Sequence, residues 1–414
     1  MASLMKTCCF NFLFLLLLTI STTQAFNYRQ PILSKVEGWV TRNGARFELN
    51  GSPFLFNGFN SYWLMVVASE PNERHKVTEV LRDASAAGLS VCRTLAFSDG
   101  KRYNGLQISP GVYDERVFKG LDFAVSEARK YGVRLILSLV NNWVDFGGKP
   151  QYVEWARDAG APVYNDDEFF NHPVPKGYYK NHIKKVVTRI NTITGIAYKD
   201  DPIVMAWELM NEPRCQANYS GNIFNSWVEE MASFVKSIDS KHLLEIGMEG
   251  FYGNSVPDRK QFNPGNYLLG TDFITNHLVQ QIDFATIHLY ATGWLPRESE
   301  NDRMEFVEKW IRRHWEDAKT ILNKPLVLAE FGKNSRDEGF SVGVRDSFMN
   351  KVYRQTYELA KDGGTMAASM VWQLMAQDMG RWDDGYSIVL PENPSTAAVM
   401  SSQSHAMAEL AHTL

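Results

Sequence analysis

Beyond residue 50 the chain alternates between short apolar runs and longer segments in which apolar residues recur every three or four positions. The short runs occupy 53–60 (PFLFNGFN), 89–95 (LSVCRTL), 133–140 (VRLILSLV), 202–209 (PIVMAWEL), 242–248 (HLLEIGM), 283–290 (DFATIHLY), 325–332 (PLVLAEFG) and 365–374 (TMAASMVWQL). They are strand-length, and their near-continuous apolar character predicts a parallel sheet covered on its outer face. The longer segments predict helices over 74–87, 114–131, 178–194, 223–240, 272–279, 304–322, 341–361 and 395–410. Gly88, Gly132, Gly195 and the pair Gly363-Gly364 stand where four of these should stop. Within 304–322, Trp310, Ile311, Trp315 and Ala318 fall at the spacing of a core-facing stripe. Eight strand–helix units favour a closed (β/α)8 TIM barrel over an open doubly wound sheet. The phosphate-binding glycine motifs of nucleotide-binding sheets are absent from the sequence. The segment EGWVTRNGARFELNG, ahead of the first unit, predicts a short hairpin capping the barrel bottom. No Pro/Gly/Ser-rich linker interrupts the chain, so residues 26–414 are expected to form one domain.

The first 25 residues have a different pattern. Lys6 precedes an apolar stretch over 10–20, and Thr23 and Ala25 are small residues before a plausible cleavage point. This predicts a signal peptide and a secreted protein, because the stretch is shorter than a membrane span. No later segment has the length or apolarity to cross a bilayer, and the C-terminus SSQSHAMAELAHTL lacks a lipid-anchor tail. Of four cysteines, Cys8 and Cys9 leave with the signal, and Cys92 and Cys215 are either two buried thiols or a single pair. Asn218-Tyr219-Ser220 is a candidate glycosylation sequon. The chain carries 43 basic and 47 acidic residues with no long run of one sign. That balance argues against nucleic acid as a partner and for a neutral or weakly charged substrate. A monomer is expected.

A (β/α)8 barrel places its active site at the C-terminal ends of the strands. The polar residues at those positions are Arg93, Asn141, Asn142, Asn211, Glu212, His288, Tyr290 and Glu330, with Trp372 ending the last strand. One buried glutamate can be a structural ion pair. Two, at the tops of the fourth and seventh strands, suggest paired acid–base chemistry. Glycoside hydrolysis needs such a pair, one carboxyl to protonate the leaving oxygen and one to act at the anomeric carbon. Trp63, Trp143, Trp294 and Trp382 fall in expected barrel-top loops, beside Tyr62 and Trp155, and an exposed ring can stack on a pyranose face. No metal site is expected, since there is no HExxH and no cysteine pair at ligand spacing.

These residues also carry a resemblance. WELMNEPRC (207–215) resembles the Asn-Glu-Pro signature of glycoside hydrolase family five. With FNGFNSYW (56–63), VCRTLAF (91–97), LVNNWVDFGG (139–148), TIHLY (286–290), LAEFGK (328–333) and MVWQL (370–374), it is similar to the plant endo-β-1,4-mannanase branch of that family over about residues 35–410. The resemblance implies an enzyme of the plant cell wall, without a cofactor. It would hydrolyse β-1,4-mannosidic linkages at internal positions in mannans, galactomannans and glucomannans, by a retaining double displacement. It implies Glu212 as acid and then base, and Glu330 as nucleophile. It places Asn211 on the sugar near the 2-hydroxyl, and has Arg93 and Tyr290 hold Glu330 ionised. His288 would stand near Glu212, and Trp372 would form the floor of the subsite before the cut bond. Asn141-Asn142, where many family cellulases place a histidine, counts against cellulase. A mannan transglycosylase and a catalytically silent wall-polysaccharide binder remain alternatives. Replacing Arg93 by Ala is expected to remove activity with little loss of fold.

Overall fold

The computed structural model describes residues 37–414. The expected signal peptide, with Lys6, Cys8 and Cys9, lies outside the described residues. An antiparallel piece comes first, formed by β1 (Val40–Asn43), β2 (Arg46–Leu49) and β3 (Ser52–Pro53). Its Phe47 is fully buried, with its ring 6.4 Å from that of Phe56 and 5.2 Å from that of Phe284, at the starts of two barrel strands. The hairpin therefore caps the barrel bottom, as the sequence predicts.

Eight parallel strands form the barrel. These are β4 (Phe56–Asn60), β5 (Val91–Leu95), β8 (Arg134–Ser138), β9 (Val204–Glu208), β10 (Leu243–Glu245), β11 (Ala285–Leu289), β12 (Leu326–Phe331) and β13 (Met366–Val371). A small hairpin, β6 (Gln107–Ser109) with β7 (Val112–Tyr113), is inserted after β5. The ladder runs β10-β9-β8-β5-β4-β13-β12-β11, so the first barrel strand pairs with the last. The remaining seam, β10 to β11, is closed by single bonds: Asp283 N–H donates to Leu244 O (2.8 Å), Met248 N–H to Thr286 Oγ1 (3.1 Å) and His288 N–H to Glu249 O (2.9 Å). The predicted fifth strand, 242–248, is thus cut to three residues. Gly247 adopts φ +94°, and a Cβ there would lie 2.1 Å from Met210 O, so the backbone leaves the extended region at that point.

The helices are α1 (Leu64–Ala68), α2 (Arg74–Ala86), α3 (Glu115–Tyr131), α4 (Gly148–Asp158), α5 (Pro173–Val187), α6 (Asn222–Ile238), α7 (Phe273–Leu278), α8 (Ala291–Trp294), α9 (Glu300–Asp317), α10 (Val342–Ala360) and α11 (Pro394–Ala411). Asp114, Asp272, Ser299 and Ser341 cap α3, α7, α9 and α10 through their side chains. The predicted helix to 194 ends at Val187 instead. Asn191 accepts from Ile193 N (2.8 Å) and Thr194 N (3.2 Å) and donates to Asp122 O (3.0 Å), which fixes a turn where periodicity suggested helix. Helix 304–322 starts earlier, at Glu300, and finishes in a π-turn over Ala318–Leu322. Cys92 and Cys215 are both free and buried, and burial pushes both thiols up, Cys215 to about 12.

Helix α1 is buried along its whole length and lies against α3 at Gly120. A Cβ at Gly120 would sit 2.5 Å from Met65 O and 2.6 Å from Ser69 N. Alanine would favour the helix by about 1 kcal/mol. The obstructing atoms are backbone, and overpacking of that kind costs about 1–3 kcal/mol. Packing should win, so Gly120→Ala is expected to lower Tm by several degrees in a thermal melt. An unchanged or raised Tm would mean that α1 yields freely.

Candidate active site

The upper end of the barrel is organised around one guanidinium. Arg93, on β5, is buried. Its Nε and Nη2 donate to the two oxygens of Glu208 at 2.5 and 2.8 Å. Its Nη1 donates to Glu330 Oε1 (2.5 Å) and Asn60 Oδ1 (3.2 Å), and Nη2 also reaches Asn211 Oδ1 (2.6 Å). Glu208, Glu330 and Asn60 lie on β9, β12 and β4, so one side chain ties together strands from around the barrel. The second oxygen of Glu330 accepts from Tyr290 Oη at 2.7 Å.

Glu212 stands past the end of β9. Its own N–H donates to Gly247 O (2.8 Å), and its backbone holds φ +48°, in the left-handed region. A non-glycine residue there carries strain of about 1–3 kcal/mol and persists only where its surroundings over-determine it. Here Oε1 takes His288 Nδ1 (2.8 Å) and Oε2 takes the indole N–H of Trp143 (2.7 Å). His288 Nδ1 also lies 3.5 Å from Glu330 Oε2, so one imidazole stands between the two carboxylates. One polar atom from each of Glu212, His288 and Glu330 falls within 4.8 Å of the others. That spacing could suit a metal ion. However, the carboxylate oxygens and Nδ1 already hold protein partners, and coordination would have to break those bonds.

Charge sets the resting protonation. Burial opposes the charge on Glu212, but the hydrogen bond and positive charge of His288 outweigh it and hold the carboxyl at about 2. His288 is raised: burial opposes its charge, and Glu330 and Glu212 overcome that. Burial raises Glu330, against the pull of His288 and Arg93 and with repulsion from Glu212. In the free site the shared proton therefore rests on His288 rather than Glu212, whereas a catalytic Glu212 would have to carry it to donate. The transfer distance is the 2.8 Å bond itself. Two further groups are perturbed nearby. Glu249 is pushed up to about 7 by burial and by Glu212, although Arg214 binds it at 2.7 and 2.9 Å. The Arg214 guanidinium in turn lies 4.6 Å from the Trp143 ring centroid.

A cleft of about 600 Å³ opens over these groups. Of the residues expected at the site, Arg93, Asn141, Trp143, Asn211, Glu212, Tyr290, Trp294, Glu330 and Trp372 line it. His288 is buried behind the wall and acts on it through Glu212. Three expectations are corrected. Trp63 is fully buried, with its indole N–H on Leu374 O at 3.1 Å, because the chain turns into α1 there. Its neighbour Tyr62 takes the cleft position, stacked 5.6 Å from Trp372 at an interplanar angle of 9°. Trp382 is half-buried behind the wall. It stacks 6.4 Å from Phe146, and its carbonyl accepts from Tyr62 Oη at 3.0 Å, so it supports two wall residues without lining the cleft. Asn142 is buried, and its Oδ1 caps Arg214 N at 3.2 Å.

Sequence reasoning missed Asn60, Phe146, Arg214, Glu249, Asp384 and Tyr386, which all line the cleft. Asp384 accepts the Trp372 indole N–H at 2.6 Å and so fixes a ring that lines the cleft. Arg214 lies inside the segment WELMNEPRC and was within reach of sequence reading. So were Asn60, at the end of β4 inside FNGFNSYW, and Phe146, inside LVNNWVDFGG, whereas Glu249, Asp384 and Tyr386 sit in loops without a pattern of their own.

Comparison with known proteins agrees with this geometry. Residues 37–381 match the family model for glycoside hydrolase family 5 β-mannosidase-like proteins. Mannan endo-1,4-β-mannosidase 5 of Solanum lycopersicum is 68% identical over 376 residues, covering 91% of this chain and 90% of that protein. Mannan endo-1,4-β-mannosidase 1 of Oryza sativa subsp. japonica is 52% identical, over 89% of this chain and 85% of that protein. The structure of the endo-β-1,4-mannanase of Thermotoga petrophila superposes with a TM-score of 0.74 at 31% identity, over 86% of this chain and 77% of that one. The endo-1,4-β-mannanase of Rhizomucor miehei gives a TM-score of 0.76 at 27% identity, over 90% and 100%.

The Arg93 network changes one expectation drawn from the sequence. Without its guanidinium, Glu208 would be a buried carboxylate lacking a cation, and Glu330 would keep only the His288 imidazole at 3.5 Å. Breaking one side of a buried ion pair costs about 3–5 kcal/mol. Arg93→Ala should therefore lose stability as well as activity, seen as a lower urea midpoint. A midpoint equal to that of the parent protein would show that the carboxylates take up protons and relax without cost.

Proposed function

The chain belongs to the β-mannosidase-like group of glycoside hydrolase family 5, and from that premise we infer a mannan endo-1,4-β-mannosidase that retains anomeric configuration. The observation that carries this reading is the approach of Glu212 and Glu330, with carboxylate oxygens within 4.8 Å across the barrel mouth. Retaining enzymes hold the two carboxyl groups about 5–5.5 Å apart, a spacing that supports this reading when one oxygen of each lies within 4.8 Å, whereas inverting ones leave a wider gap for water. In the proposed cycle Glu330, aimed by Arg93 and Tyr290, attacks the anomeric carbon. Glu212 receives the proton held by His288 and passes it to the leaving oxygen. The covalent glycosyl-enzyme is then opened by water that Glu212 deprotonates. Trp372 supplies the floor under the reacting sugar, and Asn211, between Arg93 and Asn141, offers its amide towards the 2-hydroxyl. Trp143, Trp294, Tyr62 and Phe146 extend the apolar walls of an open cleft, which suits a polysaccharide cut internally. Residues 1–25 would direct the enzyme out of the cell towards the wall, and residues 26–414 would act as one catalytic domain, as a monomer. Asn218 would carry a glycan. Its Oδ1 accepts from the Ser220 hydroxyl at 2.7 Å, on a surface loop before α6.

Three measurements test the reading. Initial rates on mannan should far exceed those on carboxymethylcellulose, with oligosaccharides as the early products. Proton NMR of fresh product should show the β-anomer. Glu212→Gln and Glu330→Gln should each lower kcat by at least about a thousandfold, since each removes an acid–base or nucleophilic group. Free mannose as the first product, α-anomer, or an active Glu330→Gln variant would each sink it.

The charge pattern also sets a pH profile. Glu330 must be ionised, and burial holds its proton affinity above the ordinary carboxylate value, so the acidic limb of kcat/KM should lie above pH ~4.5. The donor proton is shared by Glu212 and His288, and His288 is raised above 6.5, so the alkaline limb should fall above that value. In His288→Gln only the carboxyl can hold that proton, and the alkaline limb should move to lower pH. An alkaline limb that stays in place would assign the proton to another group.

A further inference from the structure

Beneath the catalytic pair lies a second pair of carboxyls that the reaction scheme does not use. Glu208 and Glu245 face each other in register on β9 and β10, and both are fully buried. Their surroundings differ. Glu208 receives two donors from Arg93, one on each oxygen. Among the described residues no cation bonds to Glu245. Its Oε2 accepts from Gly247 N–H (2.5 Å) and, weakly, from Thr286 Oγ1 (3.3 Å), while its Oε1 is buried without a donor. The carboxyl as a whole has the Glu208 carboxylate as its hydrogen-bonding neighbour. Two acceptor-only groups cannot satisfy one another, and a proton on Glu245 turns the contact into an O–H···O⁻ bond.

We propose that Glu245 is a permanently protonated positioning residue that donates a hydrogen bond to Glu208 and thereby sets how strongly Arg93 is shared between Glu208 and the nucleophile Glu330. The inference rests on the role given above to Glu330. Arg93 makes two bonds to Glu208 and one to Glu330. An unassisted Glu208 would compete harder for the guanidinium and would repel Glu330. A hydrogen bond donated by Glu245 takes up part of the negative charge on Glu208 and leaves more of the Arg93 field for Glu330. Glu245 then acts on the reacting carboxylate through Glu208 and Arg93 without touching substrate.

The neighbouring groups support the assignment. Burial and the Glu208 charge both push Glu245 well above the ordinary carboxylate range, while Glu208 is held down by Arg93 despite its burial. Behind Thr286 stands the imidazole of His277, 3.5 Å from the Thr286 N–H nitrogen, pushed down to about 3 by burial and so uncharged. On the Glu330 side the facing groups are Arg93, His288, Glu212 and Tyr290. None of these bonds to Glu245.

Three variants and one spectrum form the test. In Glu245→Gln the amide N–H replaces the acid O–H as donor to Glu208, so the acidic limb of kcat/KM should stay within a few tenths of a pH unit. If Glu245 were ionised, the same change would delete a negative charge and move that limb to lower pH, which would overturn the proposal. Glu245→Leu removes the donor, and the limb should rise by about one pH unit, with kcat falling more than KM changes. Should Glu245→Leu fail to fold, Glu245→Met serves the same purpose. Folded variants of this kind with an unmoved limb would reduce Glu245 to a packing residue. Independently of catalysis, the infrared spectrum at neutral pH should contain a buried carboxylic-acid C=O band that Glu245→Gln lacks. Absence of that band overturns the proposal even if Glu330 is the nucleophile. A wrong role for Glu330 would instead show as activity in Glu330→Gln, with the band still present.

Discussion

The structure depends on the compensation of charge around Arg93. Taking a carboxylate out of water costs several kcal/mol even after relaxation, and an unpaired one shifts its protonation before it stays charged. The barrel interior at this level holds Glu208 and Glu330 against one guanidinium, with His288, Glu245 and Glu212 close by. The guanidinium suits this task because its planar fork can bind one carboxylate in parallel and still aim a remaining N–H elsewhere. A lysine would place the same charge without the geometry. Because Glu208, Glu330 and Asn60 belong to different strands, the polar network and the strand arrangement fix each other.

The same logic explains why two groups of identical chemistry diverge. Glu212 and Glu330 differ in what reaches them. Glu212 is held by an imidazole and an indole N–H, and Glu330 by a guanidinium already shared and a phenol. In the free site the proton lies on the imidazole between them. Its movement onto Glu212 is a short step along an existing bond. The wall residue Trp143 is part of that arrangement, since its indole N–H is a partner of Glu212 and its ring meets Arg214.

Much of this was legible in the sequence, for physical reasons that also mark where legibility stopped. The eight strands show as unbroken apolar runs because both faces of each are covered. Glu212 and Glu330 were visible because a carboxylate at the end of such a run is costly without a use. Helices α1 and α4 escaped notice: α1 is a single buried turn without amphipathic period, and α4 sits in a segment read as loop. Of the two aromatics expected at the barrel top, only Tyr62 faces the cleft, because the chain turns into α1 at Trp63 and carries that ring into the core. Trp382 was misplaced because a loop tryptophan can support a wall as readily as form one. Glu208 and Glu245 gave no signal, since a carboxyl inside a strand announces its burial only once the barrel closes around it.

Position 212 shows two demands on one residue. The backbone conformation at φ +48° suits glycine or asparagine, and the proposed chemistry requires a long carboxylate side chain. A sequence chosen for thermal robustness alone would abandon glutamate there, whereas one chosen for turnover keeps it and leans on Gly247, His288 and Trp143 to hold it in place. Selection on this enzyme therefore acts on a cluster and not on a residue. Drift at any of those three supports releases a conformation that the chain would not otherwise adopt, and loss of the activity can begin without any change to either glutamate.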